Sequence, residues 1–242
     1  MKAVLFDLDG TMLPIDTETF VKAYMKKLAP AVQHLVHPEQ FVKALWKGTG
    51  AMQQNLDPHK SNEQVFMETF IPEAGVSHNE IAPVLHAFYE DEFASLRPQD
   101  LPATKAADIV DAAAKKGYLT AAATNPVFPE AAVRHRLHWA GIDRSSLDFI
   151  TSYENSSFTK PHTEYYEELC SKMGVAPEEC IMVGNDVQED IVAGSIGMKT
   201  YLVTGFVIDR GSPAYKPDAA GTLEDLLQDI QSGSGLFSSH FR

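Results

Sequence analysis

Two carboxylates two residues apart, Asp7 and Asp9, follow the apolar run Ala3-Val4-Leu5-Phe6 and lead straight into Gly10-Thr11. An apolar run of this length closed by glycine reads as a buried strand entering a loop. On an extended chain, residues two apart project from the same face, so both carboxyls would address one cavity. Two anions that close repel, so one must carry a proton or a cation must stand nearby. Beside a phosphate and a metal ion, such a pair is equipped for phosphoryl chemistry. Taken alone, the same residues fit an acidic turn after a strand equally well.

Further along, three more polar groups follow apolar runs or occupy the loops between elements. They are Thr124/Asn125, Lys160 and Asp186/Asp190. The elements that must position them alternate. Residues 104–116 are alanine-rich and helical, and Gly117 is placed to end that helix. Residues 118–123 read as a buried strand, 130–140 as a helix, 148–151 as a short strand and 162–173 as a helix. Residues 180–183 form a strand opening into Gly184-Asn185-Asp186, 191–196 a helix, 199–203 a strand and 222–230 an amphipathic helix. Repeated strand–helix alternation predicts an α/β fold with a doubly wound parallel sheet. Ligands of such sheets bind beyond the carboxyl ends of the strands, where all four polar groups lie. Each has an ordinary alternative: a turn threonine, a solvated loop lysine, a helix N-cap or a first-turn aspartate. Their joint occurrence is what carries weight.

Between the first strand and this alternating part, the chain reads as helix throughout. Phe20, Tyr24 and Leu28 recur at helical spacing, Phe41, Leu45 and Trp46 mark a second face, and Ser61-Asn62-Glu63-Gln64 has the form of a capping box. Ile81, Leu85, Phe88 and Phe93 suggest one more helix, and Pro38, Pro58, Pro72 and Pro83 fall at or near the expected helix starts. The expected organisation is therefore a core of residues 1–14 and 97–242, with 232–242 a loose Gly/Ser-rich tail, and an inserted all-helical cap domain at 15–96. Trp46 and Phe66 are expected in the core of the helical part. His135 and His138, beside Arg134 and Arg136, are read as surface groups on a basic helix.

The formal net charge of −13 argues against nucleic acid or an anionic membrane as partner. The two cysteines, Cys170 and Cys180, form no zinc or redox motif and are read as buried free thiols of a cytoplasmic protein. Asp7 interrupts the N-terminal apolar run too early for a signal peptide, and no stretch approaches a membrane span.

Asp7-Leu8-Asp9-Gly10-Thr11, Thr124-Asn125, Lys160-Pro161 and Gly184-Asn185-Asp186-Val187-Gln188-Glu189-Asp190 closely resemble, in order, the four motifs of the haloacid dehalogenase superfamily of phosphohydrolases. The helical insert lies where its helical-cap subclass carries the cap. The resemblance implies a Rossmann-like core and a magnesium-dependent hydrolase of small phosphomonoesters, the partner being a small phosphorylated metabolite. Asp7 would be the nucleophile and Asp9 the general acid and base. Mg2+ would bind Asp7, Asp186 and the main-chain carbonyl of Asp9. Gly10, Thr124, Asn125 and Lys160 would hold the phosphate, with Thr11, Asn185 and Asp190 bracing them. A sugar-phosphate phosphomutase would use the same residues. Phosphonate cleavage would need a Schiff-base lysine in the cap, and a phosphate-binding module would have no need of Asp9. Dehalogenation is disfavoured because those relatives generally lack the second aspartate. Pro14-Ile15-Asp16 stands where many members carry an acidic residue near the cap hinge, so the hinge departs from the pattern. Lys22, Lys43, Lys47 and Lys60 are the candidate cap contacts to substrate.

Overall fold

A computed structural model describes residues 1–238. Six parallel strands stand in the order β3-β2-β1-β4-β5-β6, an α/β Rossmann-like sheet. They are β1 Ala3–Phe6, β2 Leu119–Ala122, β3 Phe149–Ile150, β4 Cys180–Gly184, β5 Lys199–Val203 and β6 Ala219–Gly221. Parallel strands covered on both faces read as unbroken apolar runs, and β1 and β4 are buried along their whole length. Alternate residues of β1 serve the two sides. Val4 and Phe6 join the larger core cluster, while Ala3 and Leu5 pack in the smaller one with Tyr165, Tyr166 and Leu169. The strand pairing runs on past Phe6: the Asp7 N–H donates to Val183 O at 2.8 Å, and Ala123 N–H donates to Phe6 O at 2.7 Å.

Helices α5 Ala106–Lys115, α6 Glu130–Trp139, α7 Thr163–Met173 and α8 Leu223–Ser232 cover the sheet. Residues 191–196, expected as an ordinary helix, form a tighter 3-10 turn. The edge strand β6, Ala-Ala-Gly, has no β-branched or aromatic residue and gave no strand signal. The expected loose tail is corrected for residues 232–238. Ser232 still belongs to α8, Gly233 ends it at φ 69°, and Leu236 and Phe237 are buried, the Phe237 ring lying edge-on to Tyr118 at 5.8 Å. Two large apolar side chains supply the surface that repays ordering. The rest of that stretch, 239–242, lies outside the described residues.

Between β1 and α5 run α1 Thr17–Val32, α2 Pro38–Gln54, α3 Asn62–Ala74 and α4 His78–Ala87, followed by π and 3-10 turns to Leu96. Asp16 caps α1 by accepting the Thr19 N–H at 2.8 Å, and the capping box of Ser61 and Gln64 opens α3. Pro38 is at a helix start, but Pro72 and Pro83 lie inside α3 and α4. The carbonyl each would deprive of a partner belongs to an exposed residue, Glu68 and Asn79, where water can replace the bond. Phe66 is buried and stacks on Phe70 at 5.1 Å, as expected of a core residue. Trp46 is corrected: it is 52% exposed. No helix among the described residues is long and apolar enough to cross a membrane.

Candidate active site

The four polar groups meet at the carboxyl ends of β1, β2 and β4. Strand pairing fixes the Asp7 backbone, and its carboxylate is held from two sides. Lys160 Nζ donates to Oδ1 at 2.8 Å and the Thr11 hydroxyl lies 2.8 Å from Oδ2. That hydroxyl is also 2.9 Å from Asn185 Oδ1, so its single proton serves one acceptor at a time. Gly10 turns the chain at φ +82°, and a Cβ there would come within 2.6 Å of Asn185 Nδ2.

Lys160 is buried and also donates to Asp190 Oδ1 at 2.6 Å. Asp190 Oδ2 in turn accepts the Asp186 N–H at 2.9 Å. Burial disfavours the ammonium, but the facing carboxylates of Asp190 and Asp7 outweigh it and hold the Lys160 pKa well above its ordinary value. Burial likewise pushes the Asp190 carboxyl upward against the pull of Lys160. A Cβ at residue 184 would run into the Asp190 carboxylate at 2.1 Å, so glycine there gives Asp190 its place. Asn125 accepts the Lys160 N–H on Oδ1 and donates from Nδ2 to Glu189, both at 3.3 Å. Thr124 is buried, its carbonyl taking bonds from the Thr151 hydroxyl at 2.8 Å and the Tyr165 phenol at 2.9 Å.

Two arginines that sequence reasoning missed complete the site. Arg136, expected near the surface of a basic helix, is buried, with its guanidinium 4.7 Å above the Phe128 ring. Its Nη1 forms an ion pair with Asp9 Oδ2, while Asp9 Oδ1 and Arg136 Nη2 are buried without hydrogen-bond partners. Burial raises the Asp9 pKa, Arg136 opposes that rise and the Asp7 charge adds to it. The signal was present: Arg136 shares a helix face with Ala132 and Val133, one turn back and both buried. His138 is exposed as expected, whereas His135 is half-buried and stacks on Phe93 at 5.9 Å. Arg210, in the loop after β5, donates from Nη1 to Asp186 Oδ1 at 2.7 Å. That oxygen also accepts the N–H groups of Gln188 and Glu189.

Asp7, Asp9, Thr124, Asn125, Asn185, Asp186 and Asp190 line one cavity of about 770 Å³, closed on the far side by α1–α4. Of the four candidate lysines only Lys22 reaches its lining; Lys43, Lys47 and Lys60 are paired elsewhere, the first two with Glu73 and the third with Glu68. The donor chemistry fits a hard divalent cation. Asp7, Asp9 and Asp186 line the same cavity, and Asp186 Oδ2 takes no hydrogen bond among the described residues. The described residues contain no cluster of three or more His, Cys, Asp or Glu able to hold a metal, so the ion would rest on two carboxylates, a carbonyl and water. The arrangement supplies an oriented carboxylate, a second carboxyl of raised proton affinity and a fixed ammonium: the parts of a nucleophilic displacement at phosphorus.

A family model described as haloacid dehalogenase-like hydrolase matches residues 1–195. Among curated relatives, the glyceraldehyde 3-phosphate phosphatase of Methanothermobacter thermautotrophicus is 28% identical, with 84% of this chain and 85% of that protein covered. The pyrophosphatase PpaX of Bacillus cereus is 25% identical over 94% of this chain and 95% of its own. Among solved structures, a haloacid dehalogenase-type phosphatase from Thermococcus onnurineus superposes with TM-score 0.59 at 20% identity, covering 97% of this chain and 100% of that one.

Proposed function

Because the chain belongs to the haloacid dehalogenase-like hydrolase family, we propose that it is a magnesium-dependent phosphatase of small phosphomonoesters acting through an aspartyl-phosphate. The observation that carries this reading is the Asp7 carboxylate pinned by Lys160 at 2.8 Å, with Asp9 two residues on, in one cavity. Its relatives named as phosphatases point the same way.

Asp7 attacks phosphorus, an O–P bond forms and the ester O–P bond breaks. Asp9 gives its proton to the departing alkoxide, a task suited to a carboxyl whose proton affinity burial has raised. Water then gives a proton to Asp9, attacks the phosphorus of the aspartyl-phosphate and releases inorganic phosphate, restoring Asp7. Lys160 stays charged and neutralises the phosphoryl oxygens beside Asp7. Thr124 and the Asn125 N–H are the remaining phosphoryl contacts, and Asp190 holds Lys160 in place. Mg2+, held by Asp7, Asp186 and the Asp9 carbonyl, would offset the repulsion between the anionic nucleophile and the phosphate dianion. Residues 15–96 serve as a cap over a core built from 1–14 and the chain from 97 onward. They exclude water from the reacting centre.

Asp9→Asn tests the mechanism. Steady-state hydrolysis of an alkyl phosphate should fall by about 10²–10⁴-fold with an unchanged circular dichroism spectrum. Retention of full turnover would remove Asp9 from the chemistry. Chelation with EDTA should abolish wild-type activity, and added magnesium should restore it.

A further inference from the structure

The cavity is far larger than a phosphate needs, and its two ends differ in kind. The reacting groups crowd one end. The remainder is walled by Val21, Met25, Leu45, Phe66, Leu85 and Phe128, brought together from α1, α2, α3, α4 and the loop before α6. About 770 Å³ is the size of a pocket for a drug-sized ligand, not for a two- or three-carbon ester.

Charge sharpens the point. The cations among the lining residues are Lys22, Arg136 and Arg210, and each is matched by a carboxylate: Glu18, Asp9 and Asp186 respectively. Lys22 stands at the mouth, highly exposed, with Glu18 one turn back and Asp16 beside it. Carboxylates outnumber cations around the whole lining. A second phosphate or a carboxylate on the substrate would enter a largely apolar chamber in which carboxylates outnumber cations. Arg136 Nη2, beside Asp9, is the one buried cationic nitrogen without a partner among the described residues, so most of the cost of desolvating a second charge would go unrepaid.

We infer that the substrate is a phosphomonoester whose leaving alcohol is uncharged, bulky and apolar, aryl-alkyl or branched alkyl in kind, lodged against the α1–α4 side of the cavity. This rests on the phosphatase reading above and narrows it. It also sets the chain apart from what the name of its pyrophosphatase relative would suggest, since pyrophosphate presents a second anion.

The test compares three primary alkyl esters with magnesium present, so that leaving-group chemistry is similar throughout: 2-phenylethyl phosphate, ethyl phosphate and phosphoglycolate. The expected order of kcat/KM is 2-phenylethyl above ethyl by roughly 10- to 100-fold, with phosphoglycolate lowest. Met25→Asp, at a half-buried position of the chamber, should bring the phenylethyl-to-ethyl ratio down toward one. Turnover that favours phosphoglycolate, or a phenylethyl-to-ethyl ratio near one in the wild type, would overturn this inference and leave the phosphatase reading standing. A ratio that survives Met25→Asp unchanged would place the alcohol elsewhere and overturn it too. Absence of turnover with all three esters would instead sink the phosphatase reading, and this inference with it.

Discussion

Asp9 and Arg136 form an unevenly matched pair. Arg136 is buried and Asp9 half-buried; Arg136 Nε donates to Ala132 O and Nη1 pairs with Asp9 Oδ2, while Arg136 Nη2 and Asp9 Oδ1 are left over. Removing the guanidinium alone should cost about 3 kcal/mol of stability in urea unfolding, the lower end of the range for breaking a buried pair. The cost is limited because Asp9, whose pKa is already raised, can take up a proton in its place. Arg136→Leu is the variant to measure, and Asp9→Asn/Arg136→Leu together should cost less than the two singles added. Additivity would mean that the pair contributes nothing as a pair. At this scale the sequence was informative where strands end. Asp7, Thr124 and Asp186 each follow an apolar run, and the sheet alone tells where such residues go. Arg136 was hidden because its neighbours Arg134 and His138 are exposed, which made the whole turn look solvated. Arg210 lies in a loop whose path depends on contacts that no period in the sequence records.

Among the elements, α2 and α3 are tied by Glu73, which takes Lys43 at 2.8 Å and Lys47 at 2.5 Å. Hydrogen bonds from those two ammonium groups lower the Glu73 pKa to about 2. A carboxylate depressed on folding stabilises the fold above its unfolded pKa of about 4.5. That contribution drains away as the pH falls from there toward 2. Glu73→Gln should therefore melt slightly below the wild type at pH 7, with the gap closing between about pH 4.5 and 2 and shrinking in high salt. Equal melting temperatures at pH 7 would show the clamp to be idle. The helices themselves were readable from spacing and caps, as at Ser61. The interior prolines Pro72 and Pro83 were misplaced because proline marks helix starts only on average, and these two helices leave the affected carbonyls to water.

Across the whole molecule, the helical insertion packs on the rest of the chain through aromatic contacts such as Phe20 and Phe93 against Trp139, and through a set of polar contacts at the start of α3. Asn62 is fully buried, and its Nδ2 donates to Pro126 O at 3.1 Å and Phe158 O at 3.2 Å. The N–H groups of Asn62 and Glu63 reach Ser156 O and Tyr153 O, each at 2.8 Å. Asn62→Ala would strand two carbonyls at a cost of about 1–3 kcal/mol. Amide hydrogens at 62–63 should then exchange faster while those of β1 and β4 stay protected. Uniform acceleration would mean that the contact supports the entire fold instead. The order of the strands was expected only as a class, because periodicity reveals what is buried and not what stands beside it. The continued pairing of β1 through Asp7 has a mechanical consequence. In the mechanism we propose, the attacking carboxylate of Asp7 is moored to the neighbouring strand, Thr11 and Lys160, and none of these moorings comes from α1–α4, so the attacking oxygen would keep its bearing whatever those helices do.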